Sequence, residues 1–279
     1  MITTITIFID NAAGVSGSVG EHGFAVWITR GDTQILFDTG AGNALPINLE
    51  ALKKNARALR LLVLSHGHYD HTGGIKRVLE CRDSTDILTH PEVFRERFSS
   101  RNTGDSGTYR RVGIPFSREE LEAEGARFLL HRDYHEFADG MFFSGEIPRP
   151  RDWKTSDENL LIQENGRYQP DTIPDDASLL IETDSGPVVV LGCAHSGLDT
   201  ILDHLAEQSG HTAFHAVIGG THLVMADDQR IQTIIRALEK YRVKFIATTH
   251  CTGFPAASAF YRHFKDRFRF GQVGAEYHF

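Results

Sequence analysis

A short segment rich in histidine is the part of this chain whose residues most clearly predict chemistry. His66, His68, Asp70 and His71 lie within six positions, directly after the apolar run 61–64, which predicts a buried strand. In an extended segment, residues two apart point to the same side, so His66 and His68 can face one point. Imidazole and carboxylate groups are ligands for zinc, manganese and iron. Two neighbouring histidines alone are more often structural, but the whole pattern His-x-His-x-Asp-His predicts a metal-binding loop.

Three further histidines each follow a predicted strand later in the chain. Strands are predicted at 188–191, 216–218 and 243–248, and the histidines that follow them are His195, His222 and His250. Loops at the ends of strands carry chemistry while the strands stay rigid. Each of these histidines alone would more often be structural. Together with the motif they predict one metal site at the edge of a sheet.

The hydrophobic pattern predicts the elements that must position these residues. Before the motif, it predicts three antiparallel strands at 5–9, 24–28 and 34–37. Helices are predicted at 46–59, 91–98, 117–124 and 255–264, the third with a capping box formed by Ser117 and Glu120. The polar segments 99–116 and 151–174 are predicted to be loops.

Composition limits the function classes. The 279 residues carry a formal net charge of −8 and no apolar run long enough to span a membrane, so we expect neither a nucleic-acid partner nor a membrane partner. The amino terminus alternates like a strand and does not resemble a signal peptide. Three scattered cysteines suit a reducing cytoplasm, where we expect the protein to be located. The oligomeric state stays open.

The segment 99–116 has two interpretations. Together with the residues just before it, it is rich in arginine, and it contains several glycines and serines. A solvated loop is the simpler interpretation. Alternatively, it is a lid whose guanidinium groups bind an anionic substrate. The candidate substrate-binding residues are Arg110, Arg111, Glu146 and Arg149; Glu146 is either an acid–base group or a turn carboxylate.

Many segments of the chain resemble one branch of the metallo-β-lactamase superfamily. Besides the motif, they are Asp10-Asn11, Glu21-His22-Gly23, Asp38-Thr39-Gly40, Gly145-Glu146-Ile147-Pro148, Gly192-Cys193-Ala194-His195, Gly219-Gly220-Thr221-His222 and His250-Cys251-Thr252-Gly253. This branch contains dihydropterin-methyl-ribofuranosylaminobenzene-phosphate synthases and many predicted metal hydrolases. The resemblance implies an α/β (α+β) fold, a four-layer αββα sandwich with metals at one edge. We expect a single domain over 1–279 with an inserted lid at about 92–174.

The resemblance also implies a set of ligands. His66, His68 and His195 would hold one metal ion, Asp70, His71 and His250 a second, and Asp38 would orient a ligand. We expect one or two divalent ions, zinc first, with manganese or iron as alternatives.

One position departs from the family. Most two-metal members carry a bridging aspartate where this chain has Gly220, Thr221 and His222. His222 is the natural substitute, but a neutral imidazole binds only one metal. We therefore expect His222 to ligate one ion and the second site to be weaker. Cys193 and Cys251 are interpreted as small buried residues rather than ligands.

These residues are compatible with three functions. The first is a hydrolase that uses a metal-bound hydroxide, with Asp70 ligating or steering it, on a phosphorylated or other anionic small molecule. The second is a synthase-type condensation on a pterin precursor, and the third is a non-catalytic metal-binding regulatory protein. Iron-based redox chemistry is a minor fourth alternative.

Overall fold

Strands make up the framework of the computed structural model, which describes residues 1–101, 108–150, 153 and 157–279. In chain order the strands are β1 Thr3–Ile9, β2 Ala25–Arg30, β3 Thr33–Phe37, β4 Leu61–Val63, β5 Thr85–Thr89, β6 Arg97–Arg101, β7 Thr108–Arg111, β8 Ala126–Leu130, β9 His135–Ala138, β10 Met141–Phe143, β11 Leu160–Glu164, β12 Arg167–Pro170, β13 Ser178–Ile181, β14 Val188–Leu191, β15 Ala216–Gly220, β16 Phe245–Thr249, β17 Phe268–Phe270 and β18 Glu276–His278.

The helices are α1 Leu45–Ala51, α2 Tyr69–Thr72, α3 Ile75–Leu79, α4 Arg118–Ala123, α5 Leu198–Ser209, α6 Asp228–Lys240 and α7 Phe254–Phe264. Short 3-10 turns occur at Ala56–Ala58, Pro91–Phe94, His250–Thr252 and Lys265–Arg267. The capping box predicted for Ser117 and Glu120 is confirmed at the start of α4. Among the described residues, no helix is long and apolar enough to cross a bilayer.

Two large sheets bring the predicted site residues to one edge. The first has the order β18-β1-β2-β3-β4-β5-β8 and the second the order β17-β16-β15-β14-β13-β10-β9. The three predicted amino-terminal strands are confirmed as an antiparallel group. The strands β3 and β4 are parallel, as are β14, β15 and β16. The segments that follow each parallel group therefore leave its sheet at the same edge.

Alternating apolar side chains explain the layer order. In β14, Val188 and Val190 pack between the two sheets, whereas Val189 faces α5, α6 and α7. In the first sheet, Trp27 and Leu36 pack on the other side against α1 and α3. Because successive side chains of a strand point to opposite faces, each sheet buries both faces. The result is the αββα sandwich that the resemblance implied.

Two segments that were predicted to be loops contribute strands to a third, small sheet. Its order is β12-β11-β6-β7. The rings of Tyr109 and Tyr168 stack with centroids 3.8 Å apart, and Phe98 meets Tyr168 edge-on at 5.3 Å. These aromatic contacts between distant segments stabilise strands in which apolar and polar residues alternate only weakly. Residues 102–107 of the predicted lid lie outside the described residues.

Other predicted boundaries also change. The predicted helix 46–59 is wrong in its second half, because α1 ends at Ala51 and Lys53 adopts a positive φ of 53°. The predicted helix 91–98 is a short 3-10 turn followed by β6. Within the range 92–174 that was predicted to be an inserted lid, β8 joins the first sheet, and β9 and β10 join the second.

Arg97 connects the small sheet to the metal motif. Its side chain is fully buried, its Nε donates to Asp171 at 2.8 Å, and its Nη2 donates to Asp175. Asp175 also accepts a hydrogen bond from the backbone N–H of Gly67 at 2.8 Å. A Cβ at position 67 would collide with the Arg97 guanidinium and the Val93 carbonyl. This arginine of the predicted lid is therefore a structural anchor.

Arg97→Ala is expected to lower the free energy of unfolding by about 3–5 kcal/mol, because it leaves two buried carboxylates without their cation. Chemical denaturation measures this change. Arg127→Ala is the matched control, since Arg127 forms a surface pair with Asp86 and should leave stability nearly unchanged. Equal effects of the two variants would contradict the anchoring role.

Candidate metal centre

The ends of five strands place the candidate ligands. Asp38 directly follows β3, and the motif follows β4 in the same sheet. From the second sheet, His195, His222 and His250 follow β14, β15 and β16. The facing edges of the sandwich thus bring the motif and the three later histidines together, as the sequence predicted.

The backbone at these strand ends adopts an unusual conformation. Asp38, Ala194, His222 and His250 have φ values of 62°, 57°, 47° and 50°. Residues with a Cβ rarely adopt this left-handed region, and each instance costs on the order of 1–3 kcal/mol. Such strain persists where the surrounding structure fixes the geometry, which is typical of functional sites.

Three buried imidazoles crowd together at the centre of the edge. The distance from His66 Nε2 to His68 Nδ1 is 2.9 Å, and the distance from His66 Nε2 to His195 Nε2 is 3.3 Å. Burial lowers the pKa of all three, and the neighbouring imidazoles lower those of His66 and His195 further; the pKa of His68 falls to about 3. Within the described part of the chain, the buried Nε2 of His68 has no hydrogen-bond partner. Neutral imidazoles facing one point form a donor set that fits a divalent cation.

Asp38 orients two histidines of the motif, His71 and His66. Its Oδ2 accepts a hydrogen bond from His71 Nδ1 at 2.7 Å and another from Ser65 Oγ at 2.7 Å, while Oδ1 accepts from the Ser65 backbone N–H. Ser65 Oγ in turn lies 2.8 Å from His66 Nδ1. Burial alone would lower the pKa of His71, but the Asp38 carboxylate raises it to about 9. Asp38 therefore leaves Nε2 of His71 facing the site.

A second group of donors forms around Asp70. Its Oδ2 lies 3.4 Å from His250 Nε2 and 3.3 Å from His22 Nε2. Burial opposes ionisation of Asp70, but the hydrogen bond with His250 lowers its pKa well below the usual range. Asn11 Oδ1 lies 2.9 Å from His250 Nδ1 and fixes that ring. His22 was not among the predicted ligands, because it is a lone histidine in a loop far from the motif in sequence.

His71 belongs to a different group from the one that the resemblance implied. Its Nε2 lies 3.1 Å from Cys193 Sγ, and the donor atoms of His66, His71 and Cys193 lie within 4.8 Å of one another. Cys193 forms similar groups with His195 and His222 and with His250 and Cys251. The structure thus places both sulfur atoms among the candidate ligands, whereas the sequence interpretation set them apart.

The surroundings of the two thiols shift their pKa values in opposite directions. Burial raises the pKa of Cys193. Burial opposes ionisation of Cys251 as well, but hydrogen bonds from Cys193 and His222 lower its pKa. Sequence spacing gave no sign of this pairing, because the two cysteines are far apart in the chain.

A cavity of about 330 Å³ opens onto these donors. Asp70, His68, His195, His222 and His250 all contribute to its wall. Its wall also includes Arg110, whose guanidinium lies 5.2 Å from the centre of the Tyr69 ring. The site thus places imidazoles, a carboxylate and a guanidinium around one space large enough for a small molecule.

Three of the four candidate substrate-binding residues lie elsewhere. Arg111 is exposed and faces Glu96 at 3.8 Å. Arg149 donates to the backbone carbonyls of Ile147, Thr172 and Ile173. Glu146 lies 3.0 Å from Arg132 and 3.3 Å from His90. These contacts tie Arg149 and Glu146 into the structure, away from the cavity.

A second cavity of about 470 Å³ adjoins the first. The two share His195 and His222, whose rings lie 4.1 Å apart. Its wall also includes Trp153 and Arg230, and Arg230 is paired with both oxygens of Asp199. The imidazoles of these two histidines therefore border two spaces.

Comparison with known proteins agrees with this architecture. A protein from Methanocaldococcus jannaschii named 7,8-dihydropterin-6-methyl-4-(beta-D-ribofuranosyl)-aminobenzene-5'-phosphate synthase is 37% identical over 242 residues, 84% of this chain and 81% of its own. The crystal structure of a metal-dependent hydrolase of the β-lactamase superfamily matches with a TM-score of 0.83 and 26% identity, over 99% of this chain and 98% of the other. Zn²⁺-bound PqqB from Methylobacterium extorquens shares the fold at a TM-score of 0.59 and 10% identity, over 98% of this chain and 99% of its own. The family model of the metallo-β-lactamase superfamily matches residues 19–250, and the chain belongs to that superfamily.

Proposed function

We propose that this protein is a metal-dependent hydrolase of a phosphorylated or otherwise anionic small molecule. The observation that carries the proposal is the group of neutral imidazoles, His66, His68 and His195, beside a cavity that contains the guanidinium of Arg110. The similarity to a metal-dependent hydrolase over nearly the whole chain supports it.

The ligand assignment follows from the donor groups. His66, His68 and His195 would hold one divalent ion, and Asp70, His250 and His22 would hold a second. His71, which the resemblance assigned to the second ion, shares a donor group with His66 and Cys193 instead. His222 would complete one of the two sets. Zinc suits these donors best, with manganese or iron as alternatives. When bound, such an ion is a Lewis acid that polarises an ester or phosphoryl oxygen and acidifies water.

The chain's own residues supply the rest of the mechanism. Asp70 is held as a carboxylate by the hydrogen bond with His250, so its oxygens can accept a hydrogen bond from an attacking water and orient that water. Asp38 keeps the rings of His71 and His66 in place. Arg110 reaches the cavity as a cation that pairs with a substrate phosphate or carboxylate.

A second function is a condensation of the kind named for the Methanocaldococcus relative. That name describes a product in which a dihydropterin is joined to a phosphorylated ribosyl aminobenzene. Two cavities that meet at His195 and His222 offer one space for each of two reactants. Supplying both reactants to the zinc-loaded protein and finding the joined product by mass spectrometry would favour this function over hydrolysis.

The zinc-loaded protein is expected to hydrolyse at least one class among phosphomonoesters, phosphodiesters, lactones and thioesters. His68→Ala and Asp70→Ala should each bind less metal, because each removes a ligand. The rate of hydrolysis should fall at least about a hundredfold in each variant. His263→Ala, at an exposed histidine of α7, is the control that should keep both. Firm metal binding without turnover on any class, and without the condensation product, would instead select the non-catalytic metal-binding protein.

Asp38→Asn is expected to weaken zinc binding about 10- to 100-fold, because the amide is a poorer acceptor for His71 and Ser65. Competition with a chromophoric chelator measures the affinity. Asp86→Asn, at an exposed carboxylate, should bind zinc like the unaltered protein. Unchanged affinity in Asp38→Asn would show that the carboxylate does not orient the ligands.

Arg110→Ala is expected to raise KM for an anionic substrate about tenfold or more while changing kcat little, since it removes a charged hydrogen-bond donor. Arg111→Ala is the matched control, because Arg111 is the next residue of β7 and does not line the cavity. A KM that responds equally to both variants would argue against a specific role for Arg110.

A further inference from the structure

Cys193 occupies the centre of the donor cluster. Its Sγ belongs to three of the donor groups found among the described residues: one with His66 and His71, one with His195 and His222, and one with His250 and Cys251. The residue is only 3% exposed, and its Sγ lies 3.1 Å from His71 Nε2. The sulfur therefore faces histidines from both sheets.

We propose that Cys193 supplies a thiolate that is shared by the two metal ions of the centre. The inference rests on the proposed metal-dependent function and names a ligand for it. On binding, the S–H bond of Cys193 is replaced by bonds from sulfur to metal, and the proton passes to solvent.

The chemistry of the other donors explains why a ligand that binds both metal ions is needed. Each imidazole offers one nitrogen to the site and binds one ion. The first donor group, His66, His68 and His195, is made of imidazoles alone, and Asp70 belongs to the group with His22 and His250. A thiolate sulfur has several lone pairs and a negative charge, so it can bind two cations and reduce their repulsion.

Cys251 is the weaker candidate for this role. Its Sγ belongs to one donor group, accepts a hydrogen bond from the His222 backbone N–H at 3.2 Å, and contacts the Cys193 carbonyl at 3.6 Å. A Cβ on Gly220 would lie 2.7 Å from this sulfur, so the glycine leaves room for it. These contacts indicate that Cys251 positions the loops that carry Cys193 and His222.

Titration of the metal-free protein with Co²⁺ alone tests the proposal. The unaltered protein is expected to bind two equivalents and to develop the near-ultraviolet absorption of a sulfur-to-cobalt charge transfer. Cys193→Ser should lose this band and bind the second equivalent at least tenfold more weakly. Cys193→Asp should restore two equivalents without the band, because a carboxylate can also bridge two ions.

Two variants serve as controls. Cys81→Ser should keep the full band, since Cys81 belongs to no donor group among the described residues. Cys251→Ser should keep most of it. Two bound equivalents without the band in the unaltered protein, or a band that persists in Cys193→Ser and disappears in Cys251→Ser, would overturn the assignment. Failure to bind Co²⁺ at all would overturn the proposed function as well as this inference.

Discussion

The close approach of three neutral imidazoles is the constraint on which the rest of this structure depends. His66 Nε2 lies 2.9 Å from His68 Nδ1 and 3.3 Å from His195 Nε2, deep in the protein. Nitrogens at such distances can share few protons, and burial makes the charged form costly, so the set is best completed by a metal cation. His66 and His68 come from the first sheet and His195 from the second. The packing of the two sheets therefore creates the site.

Local features then fix each ligand more closely than packing alone could. The left-handed backbone of Asp38 and Ala194 turns the chain sharply at two strand ends. Asp38 reaches His71 directly and His66 through Ser65, so one buried carboxylate sets two rings. A strained backbone and a buried charge both oppose folding. Their presence at the same edge indicates that they are kept for the geometry they provide.

The family resemblance implied the sandwich, whereas the individual strands and the histidines at their ends were predicted from local patterns. Strands that are buried on both faces are recognisable as apolar runs. His66 and His68 are close together in the sequence, so their common direction could be predicted. Contacts between distant segments could not be predicted from the sequence. The small sheet depends on the stacking of Tyr109 on Tyr168. Arg97 is a structural anchor because Asp171 and Asp175 lie beside it. The position of the Cys193 sulfur likewise depends on how the loops after β14, β15 and β16 pack together.

The same geometry explains why the fold alone does not decide the reaction. The candidate ligands follow the ends of strands in the two large sheets, whereas other segments line the cavities beside them. Arg110 of the small sheet lines the first cavity, and Trp153 lines the second. A hydrolase needs one pocket and water, whereas a condensation needs two reactants and must keep water away from their junction. The junction of the two cavities is bordered by His195 and His222. Groups that shield this junction from water would therefore favour a condensation, and groups that admit water would favour hydrolysis.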